Sequence, residues 1–145
     1  MERLIAVSAC LLGYNCKYNG SNNLNFNVIE KTNGMKIIPI CPEVFGGMPT
    51  PRIPSEISID QEKVYSSVGE EVTFFFEQGK KRTLELLKEH HCTKVILKDG
   101  SPSCGYSYIY DGTFTGSRIL GQGITCKYLL ANGIEIIDLN QEGQL

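Results

Sequence analysis

Six cysteines are the residues of this 145-residue sequence with the greatest capacity for chemistry. They are Cys10, Cys16, Cys41, Cys92, Cys104 and Cys126. An even number of cysteines could form disulfides in a small secreted protein. A chain of this length with 41% hydrophobic residues can build a core without disulfides, and the apolar segment before Cys10 is too short for a secretory signal. We therefore expect a cytoplasmic protein, in whose reducing surroundings grouped cysteines indicate metal, cluster or redox chemistry.

Three of the cysteines, Cys10, Cys41 and Cys104, each follow a short apolar segment that is typical of a buried strand. Strands are predicted at residues 4–9, 36–40, 94–98 and 134–138. If these strands are parallel, their carboxyl ends meet at one edge of the sheet, and the three thiols face one crevice. Ligands bind at that edge in open α/β sheets, so the sequence predicts a thiol-lined site there.

The segments between the strands have helical periodicity or turn signals. Helices are predicted at residues 28–32, 73–91 and 123–132, and a small hairpin is predicted between residues 57–59 and 63–65. Gly79, inside the long predicted helix, indicates close packing against another element. Strands that alternate with helices predict crossover connections. The expected fold is α/β, an open and mainly parallel sheet with helices on both faces, in a single domain that spans residues 1–145.

Converging thiolates bind soft ions such as zinc, copper(I) or iron–sulfur clusters. The spacing of the cysteines lacks the close pairs of structural zinc sites, so such a site is disfavoured. Three ligands at strand ends would leave a bound metal open to a substrate. A phosphatase-like loop after the first strand is also disfavoured, because Cys16 stands where the anion-binding arginine is required. We interpret Cys16, Cys92 and Cys126 as core or surface thiols. For Cys16 a second interpretation is open, a reserve or redox thiol whose polar loop could swing toward the site.

Two oxygen-bearing side chains accompany the thiols. Glu43 lies two residues after Cys41, and Ser101 lies three residues before Cys104. Glu43 could be a solvated carboxylate and Ser101 a turn residue, but their positions beside the cysteines favour a role in chemistry. A carboxylate can move a proton, and a hydroxyl can orient water or act as a nucleophile. Arg52 is either an anion contact or an ion-pair partner, and His90 and His91 are interpreted as structural.

Charge and hydropathy restrict the class of partner. The formal net charge is −2, and the longest run of like charges is residues 80–82, so nucleic-acid binding is not expected. Apolar runs fall far short of the roughly 18 residues that a membrane span needs. The remaining class of partner is a small molecule. The sequence does not specify an oligomeric state.

Several segments together resemble the domain of unknown function 523 family, whose members are linked to thiouracil desulfurases. The matching stretches are residues 8–13 (SACLLG), 16–20 (CKYNG), 41–43 (CPE), 46–52 (GGMPTPR), 97–98 (LK), 101–105 (SPSCG) and 111–114 (DGTF). They run in the same order across nearly the whole chain. Lys17, Asn19 and Asp99-Gly100 depart from the more usual pattern, and these positions are expected to tune the choice of substrate.

The resemblance implies a [4Fe–4S] cluster held by Cys10, Cys41 and Cys104, with the fourth iron open to the sulfur of the substrate. It implies desulfuration of a thiolated pyrimidine base or nucleoside, such as thiouracil, without net redox change and with release of sulfide. Glu43 and Ser101 match positions to which we assign the chemistry. Water or Ser101 would attack the carbon that bears the sulfur, and Glu43 would carry the proton.

Two functions of other classes are consistent with the same cysteines. A non-catalytic metal- or cluster-binding module would keep the three thiols but would tolerate loss of Glu43 and Ser101. A thiol–disulfide redox protein would use Cys10 and Cys16, would need a low thiol pKa, and would work without iron.

Overall fold

The computed structural model describes residues 3–139 of the chain. Its helices are α1 (Phe26–Lys31), α2 (Pro42–Phe45), α3 (Thr73–Glu89) and α4 (Ile124–Ala131), and a short 3₁₀ helix spans Ala9–Leu12. Its strands are β1 (Leu4–Ser8), β2 (Lys36–Ile40), β3 (Ser55–Ile57), β4 (Val64–Ser66), β5 (Lys94–Ile96), β6 (Tyr108–Tyr110), β7 (Arg118–Leu120) and β8 (Glu135–Ile136). Within this region, every helix is too short or too polar to cross a membrane.

A parallel sheet of four strands, in the order β2-β1-β5-β8, organises the described part of the chain. Ala6 of the central strand β1 is paired with Ile38 on one side and with Val95 on the other. The chain order of the strands reverses direction between β1 and β5, so the connections that follow these two strands diverge. This divergence opens a crevice at the carboxyl edge of the sheet, where open α/β folds bind their ligands.

Alternate side chains of β1 enter two separate hydrophobic cores. Ala6 packs in a cluster with Leu87 of α3 and Leu129 of α4. Val7 faces the other way and packs in a cluster with Val28 of α1. Since successive side chains of a strand point to opposite faces, the two clusters lie on opposite sides of the sheet. The α/β fold class predicted from the sequence, with helices on both faces of a parallel sheet, is therefore confirmed.

All four predicted strands are present, but some are shorter than the apolar runs that signalled them. The strand over residues 36–40 has the predicted bounds, whereas β5 ends at Ile96 rather than at residue 98. The reason is that the backbone N–H of Lys98 donates to the Ser8 hydroxyl instead of to a neighbouring strand. Strand β7 is not among the predicted strands, because all three of its residues are exposed and carry no alternating apolar pattern.

Two antiparallel hairpins lie apart from the central sheet: β3 pairs with β4, and β6 pairs with β7. The first hairpin was predicted between residues 57–59 and 63–65, but the strands pair as Ser55–Ile57 with Val64–Ser66. Ser58 explains the difference, because its hydroxyl binds the Asp60 carboxylate at 2.5 Å and accepts from the Lys63 backbone N–H. Residues 58–63 therefore form the turn, and the paired strands begin earlier than the apolar pattern indicates.

Helix α2 lies against α3 at a contact between two glycines. A Cβ atom on Gly79 would lie 2.0 Å from the backbone oxygen of Pro42, and one on Gly46 would lie 2.0 Å from the backbone oxygen of Phe75. The close packing predicted at Gly79 is confirmed. Since α2 begins directly after Cys41 and contains Glu43, this contact fixes the position of both side chains relative to the core.

Replacing Gly79 with alanine should destabilise the fold. Alanine favours a helix over glycine by about 1 kcal/mol, but a methyl group 2.0 Å from a backbone oxygen forces the helices apart. We expect a net loss of about 1–3 kcal/mol in the free energy of unfolding, measured by urea denaturation. Lys81→Ala, on the exposed face of the same helix, is the matched control and should change stability by less than about 0.5 kcal/mol. Equal stability of the two variants would contradict the packing argument.

Candidate active site

A cavity of about 570 Å³ opens at the carboxyl edge of the central sheet. Its floor comes from residues that follow β1, β2 and β5, and its walls come from the loop after Cys10 and from the hairpins β3–β4 and β6–β7. Volumes of this size are typical of sites for small molecules. The crevice predicted at the strand ends is thus present, and the hairpins add walls to it.

The three cysteines predicted at strand ends all line this cavity. Cys10 lies in the 3₁₀ helix after β1, Cys41 is the residue that precedes α2, and Cys104 lies in the loop after β5. Polar groups hold two of the sulfurs in place. The Asn23 side-chain amide lies 3.4 Å from the Cys10 sulfur, and the Ser8 hydroxyl binds the Cys104 sulfur. Such hydrogen bonds orient thiolate ligands and tune the metal that they hold.

Cys16 also lines the cavity, although the sequence analysis interpreted it as a core or surface thiol. The loop that carries it is fixed by Arg52, whose guanidinium donates to the Cys16 backbone oxygen at 2.9 Å. The Cys41 sulfur lies 3.9 Å from the same oxygen, and the two thiols are hydrogen-bonded to each other. The interpretation of Cys92 and Cys126 as core thiols agrees with the structure, since both are buried in the cluster beneath α3 and α4.

The electrostatics of the cavity favour the thiol form of Cys10 and Cys104 but lower the pKa of the Cys41 thiol. Burial raises the pKa of the Cys104 thiol to about 12, and the charges of Cys41 and Cys10 add to this effect. Burial likewise raises the pKa of Cys10. The hydrogen bond from Cys16 lowers the pKa of Cys41 and raises that of Cys16, so the first proton lost from this pair leaves Cys41. A bound metal cation stabilises thiolates that would otherwise repel each other across a cavity.

The spacing of the thiols indicates which kind of metal group fits. Among residues 3–139, no three His, Cys, Asp or Glu side chains stand close enough to hold a single metal ion. Cys10, Cys41 and Cys104 instead face a shared space and interact through their charges. An all-thiolate donor set around a space wider than one ion suits a polynuclear iron–sulfur cluster better than mononuclear zinc. The residues present therefore fit such a cluster.

Glu43 is the carboxylate closest to these thiols in the sequence, and the structure places it in the wall of the cavity. Arg52 donates through Nε to Glu43 Oε1 at 3.1 Å, and the two side chains are 6% and 14% exposed. Of the two roles left open for Arg52, the structure supports the ion-pair partner. The second carboxylate oxygen, Oε2, accepts a hydrogen bond from the Ser103 hydroxyl at 2.9 Å. Both oxygens of Glu43 are therefore held in defined directions.

Ser101 shapes the loop that carries Cys104. Its hydroxyl oxygen accepts hydrogen bonds from the backbone N–H groups of Ser103 and Cys104, at 3.2 and 2.7 Å. The same hydroxyl lies 3.0 Å from the Ser103 hydroxyl. The structure thus brings Ser101 and Glu43 into one hydrogen-bonded network through a residue that the sequence analysis did not single out. The signal that could have identified Ser103 is its position directly before Cys104.

Asp99 anchors the start of the same loop. Its carboxylate accepts hydrogen bonds from the backbone N–H groups of Gly100, Tyr106, Ser107 and Tyr108 and from the Ser107 hydroxyl. Burial alone would raise the pKa of the Asp99 carboxyl, but these hydrogen bonds outweigh it and lower the pKa. The ionised Asp99 carboxylate therefore fixes the loop. Asp99 departs from the family pattern, and it does so at a position that supports the cavity wall.

Aromatic side chains form part of the cavity wall. Tyr108, Tyr110 and Phe114 line the cavity. The Arg118 guanidinium lies 4.3 Å from the centre of the Tyr108 ring and 5.8 Å from that of Tyr110, a cation–π contact that restricts both rings. The Glu56 carboxylate accepts from the backbone N–H groups of residues 112 and 114 and so holds the loop that carries Phe114. An aromatic wall suits a planar ring.

Comparisons with known proteins agree with this geometry. The model of a protein family described as 2-thiouracil desulfurase matches residues 5–141 of the chain. The Bacillus subtilis (strain 168) uncharacterized protein YbbK is 38% identical over 146 residues, which cover 95% of this chain and 97% of YbbK. A solved structure of the [4Fe-4S]-dependent thiouracil desulfidase TudS is also 38% identical and superposes with a TM-score of 0.85. This match covers 97% of this chain and 93% of that one.

Proposed function

Because this chain belongs to the 2-thiouracil desulfurase family, we propose that it is a [4Fe–4S]-dependent enzyme that removes sulfur from a thiolated pyrimidine such as thiouracil. The reaction replaces the thiocarbonyl sulfur with oxygen from water and releases sulfide, with no net redox change. The observation that carries the proposal is the presence of three thiols, a fixed carboxylate and an aromatic wall in one cavity of about 570 Å³.

We assign Cys10, Cys41 and Cys104 as the residues that hold the cluster, and we leave one iron without a protein ligand. All three line the cavity, and their mutual charge repulsion supports a shared metal group. Cys16 is not included, because its thiol is hydrogen-bonded to Cys41 and its loop is held by Arg52. When bound, such a cluster supplies a thiophilic Lewis acid that withdraws electron density from the thiocarbonyl carbon.

The other residues of the cavity bind the ring and move protons. The Tyr108, Tyr110 and Phe114 wall offers a stacking surface for a planar pyrimidine. Ser55 also lines the cavity, and its buried hydroxyl has no hydrogen-bond partner among the described residues. Glu43 serves as the proton carrier, and Ser101 provides the hydroxyl at the reacting centre. A small thiolated base or nucleoside is thus the proposed substrate.

The proposed chemistry needs reduced thiols and a reducing environment, and we therefore assign the protein to the cytoplasm. The whole of residues 1–145 is proposed to act as one desulfurase domain.

The proposal is tested by anaerobic reconstitution of the purified protein with iron and sulfide, followed by measurement of sulfide and uracil released from 2-thiouracil and 4-thiouracil. We expect both products in equal amounts from the loaded protein and neither from the iron-free protein. A loaded protein that binds the cluster but releases no sulfide would support the non-catalytic module instead. Turnover of disulfide substrates by the iron-free protein would support the thiol redox function.

A further inference from the structure

A chain of hydroxyl groups connects Ser101 to Glu43 through Ser103. The Ser103 hydroxyl donates to Glu43 Oε2 at 2.9 Å and lies 3.0 Å from the Ser101 hydroxyl. Ser103 is only 2% exposed, yet it lines the cavity, so its hydroxyl is in contact with the site but shielded from bulk water. A buried serine that contacts both a second serine and a carboxylate can pass a proton from that serine to the carboxylate.

The direction of these hydrogen bonds follows from the number of donors and acceptors. A serine hydroxyl has one hydrogen and two lone pairs. Both lone pairs of Ser101 are occupied by the backbone N–H groups of Ser103 and Cys104. The Ser101 hydrogen must therefore be donated, and Ser103 Oγ is its acceptor. Since Ser103 in turn donates to Glu43, the bonds run in one direction, from Ser101 through Ser103 to the carboxylate.

We propose that Ser103 is a positioning residue that relays the proton of Ser101 to Glu43 when Ser101 attacks the thiocarbonyl carbon. This inference rests on the desulfurase function proposed above. The two N–H groups on Ser101 Oγ would stabilise the negative charge that develops as its proton leaves, in the manner of an oxyanion hole. Arg52 occupies Oε1 of Glu43, which leaves Oε2 as the acceptor of the relayed proton.

The steps balance in atoms and electrons. The Ser101 O–H bond breaks, an oxygen–carbon bond forms, and the electron pair of the thiocarbonyl moves to sulfur. Ser103 takes the proton from Ser101 and passes its own to Glu43. Glu43 returns this proton to sulfur as the carbon–sulfur bond breaks and hydrosulfide leaves, while a ring N–H proton passes to water. Water then attacks the same carbon and gives one proton to the ring nitrogen and the other to the Ser101 oxygen, as the carbon–oxygen bond to Ser101 breaks and the pyrimidine product departs. No atom changes its redox state.

A competing role for Ser103 makes a different prediction. Its hydroxyl oxygen lies 3.7 Å from the Cys104 sulfur, and its single hydrogen cannot serve both this sulfur and Glu43. The shorter bond is the one to Glu43. If the hydrogen went to Cys104 instead, removing it would shift the reduction potential of a bound cluster, because hydrogen bonds to ligand sulfurs set such potentials.

The test compares Ser103→Ala, Ser103→Thr and the control Ser66→Ala, a buried serine outside the cavity. Each protein is loaded with the cluster, and kcat, KM and the cluster reduction potential are measured. For Ser103→Ala we expect kcat to fall about 100-fold with KM and the potential unchanged, since the relay acts on the chemical step and not on binding or on the metal. Ser103→Thr, which keeps a hydroxyl, should recover most of kcat, and Ser66→Ala should match the wild type.

Three results would overturn the relay: wild-type kcat in Ser103→Ala, a threonine variant as slow as the alanine variant, or a fall in kcat accompanied by a shifted potential. The threonine variant decides the question even if the alanine variant does not fold, because the relay requires it to turn over. All three results presuppose an active wild-type protein. A fully loaded wild type that releases no sulfide would instead contradict the proposed function, and the two failures are therefore distinguishable.

Discussion

Alanine at position 10, 41 or 104 should abolish the brown absorbance of the reconstituted protein and reduce sulfide release to the level of the iron-free protein. Each substitution removes one of the three thiols that we assign to the cluster and leaves the other two thiolates without a complete site. The measurements are iron content, visible absorbance and sulfide release under anaerobic conditions.

Two further cysteine variants serve as controls for this experiment. Cys126→Ala removes a fully buried thiol from α4, beneath the sheet and outside the cavity, and should keep both the cluster and activity. Cys16→Ala removes the thiol that is hydrogen-bonded to Cys41 but is not assigned as a ligand, and should retain the iron content. A stable cluster in Cys104→Ala, or a lost cluster in Cys16→Ala, would contradict the ligand assignment.

The placement of the three assigned thiols was predictable from sequence because it depends on local pattern and on one general property of parallel sheets. Each thiol follows an apolar run that forms a strand, and parallel strands share a carboxyl edge. Cys16 was not predictable in this way. Its position in the cavity depends on the Arg52 guanidinium, which binds its backbone oxygen from 36 residues away in the chain.

The polar network was only partly predictable, for a similar reason. Proximity to cysteines in the sequence singled out Glu43 and Ser101 as candidates for the chemistry, and both line the cavity. It could not indicate that they are joined through Ser103, since Ser103 and Glu43 are 60 residues apart and meet only because α2 and the loop after β5 leave the same edge of the sheet. The hydrogen bonds of Ser101 within its own turn follow from the local sequence. Its connection to Glu43 through Ser103 depends on the tertiary structure.

The walls of the cavity illustrate where pattern analysis fails. Hydrophobic periodicity identifies strands that bury one face, and the paired residues of β7 bury none, so the β6–β7 hairpin could be recognised only in part. That hairpin nevertheless supplies Tyr108 and Tyr110 to the site. Elements that enclose a ligand are exposed on one side and open to the cavity on the other, and their sequences carry a weaker hydrophobic signal than the core strands.

Glu43→Gln should keep the cluster but lower kcat for desulfuration by about 10²–10⁴-fold, the range typical of a lost proton carrier. Glutamine preserves the size of the side chain, and its amide oxygen can still accept from Arg52. Its amide nitrogen, however, would face the Ser103 hydroxyl as a donor and could not accept a proton. Glu85→Gln, on the exposed face of α3, is the matched control and should leave kcat unchanged.

Ser101→Ala should lower kcat to a similar degree, but its interpretation depends on the state of the cluster. The Ser101 oxygen accepts two backbone N–H groups in the loop that carries Cys104, so its removal leaves both donors unpaired beside an assigned ligand. Iron content must therefore equal that of the wild type before a loss of kcat is assigned to chemistry.

If Ser101 and Glu43 act through one network, the double variant should be no slower than Glu43→Gln alone, since either substitution already interrupts the same proton path. Losses that multiply in the double variant would mean that the two residues act independently, and near-normal turnover in both single variants would remove them from the mechanism.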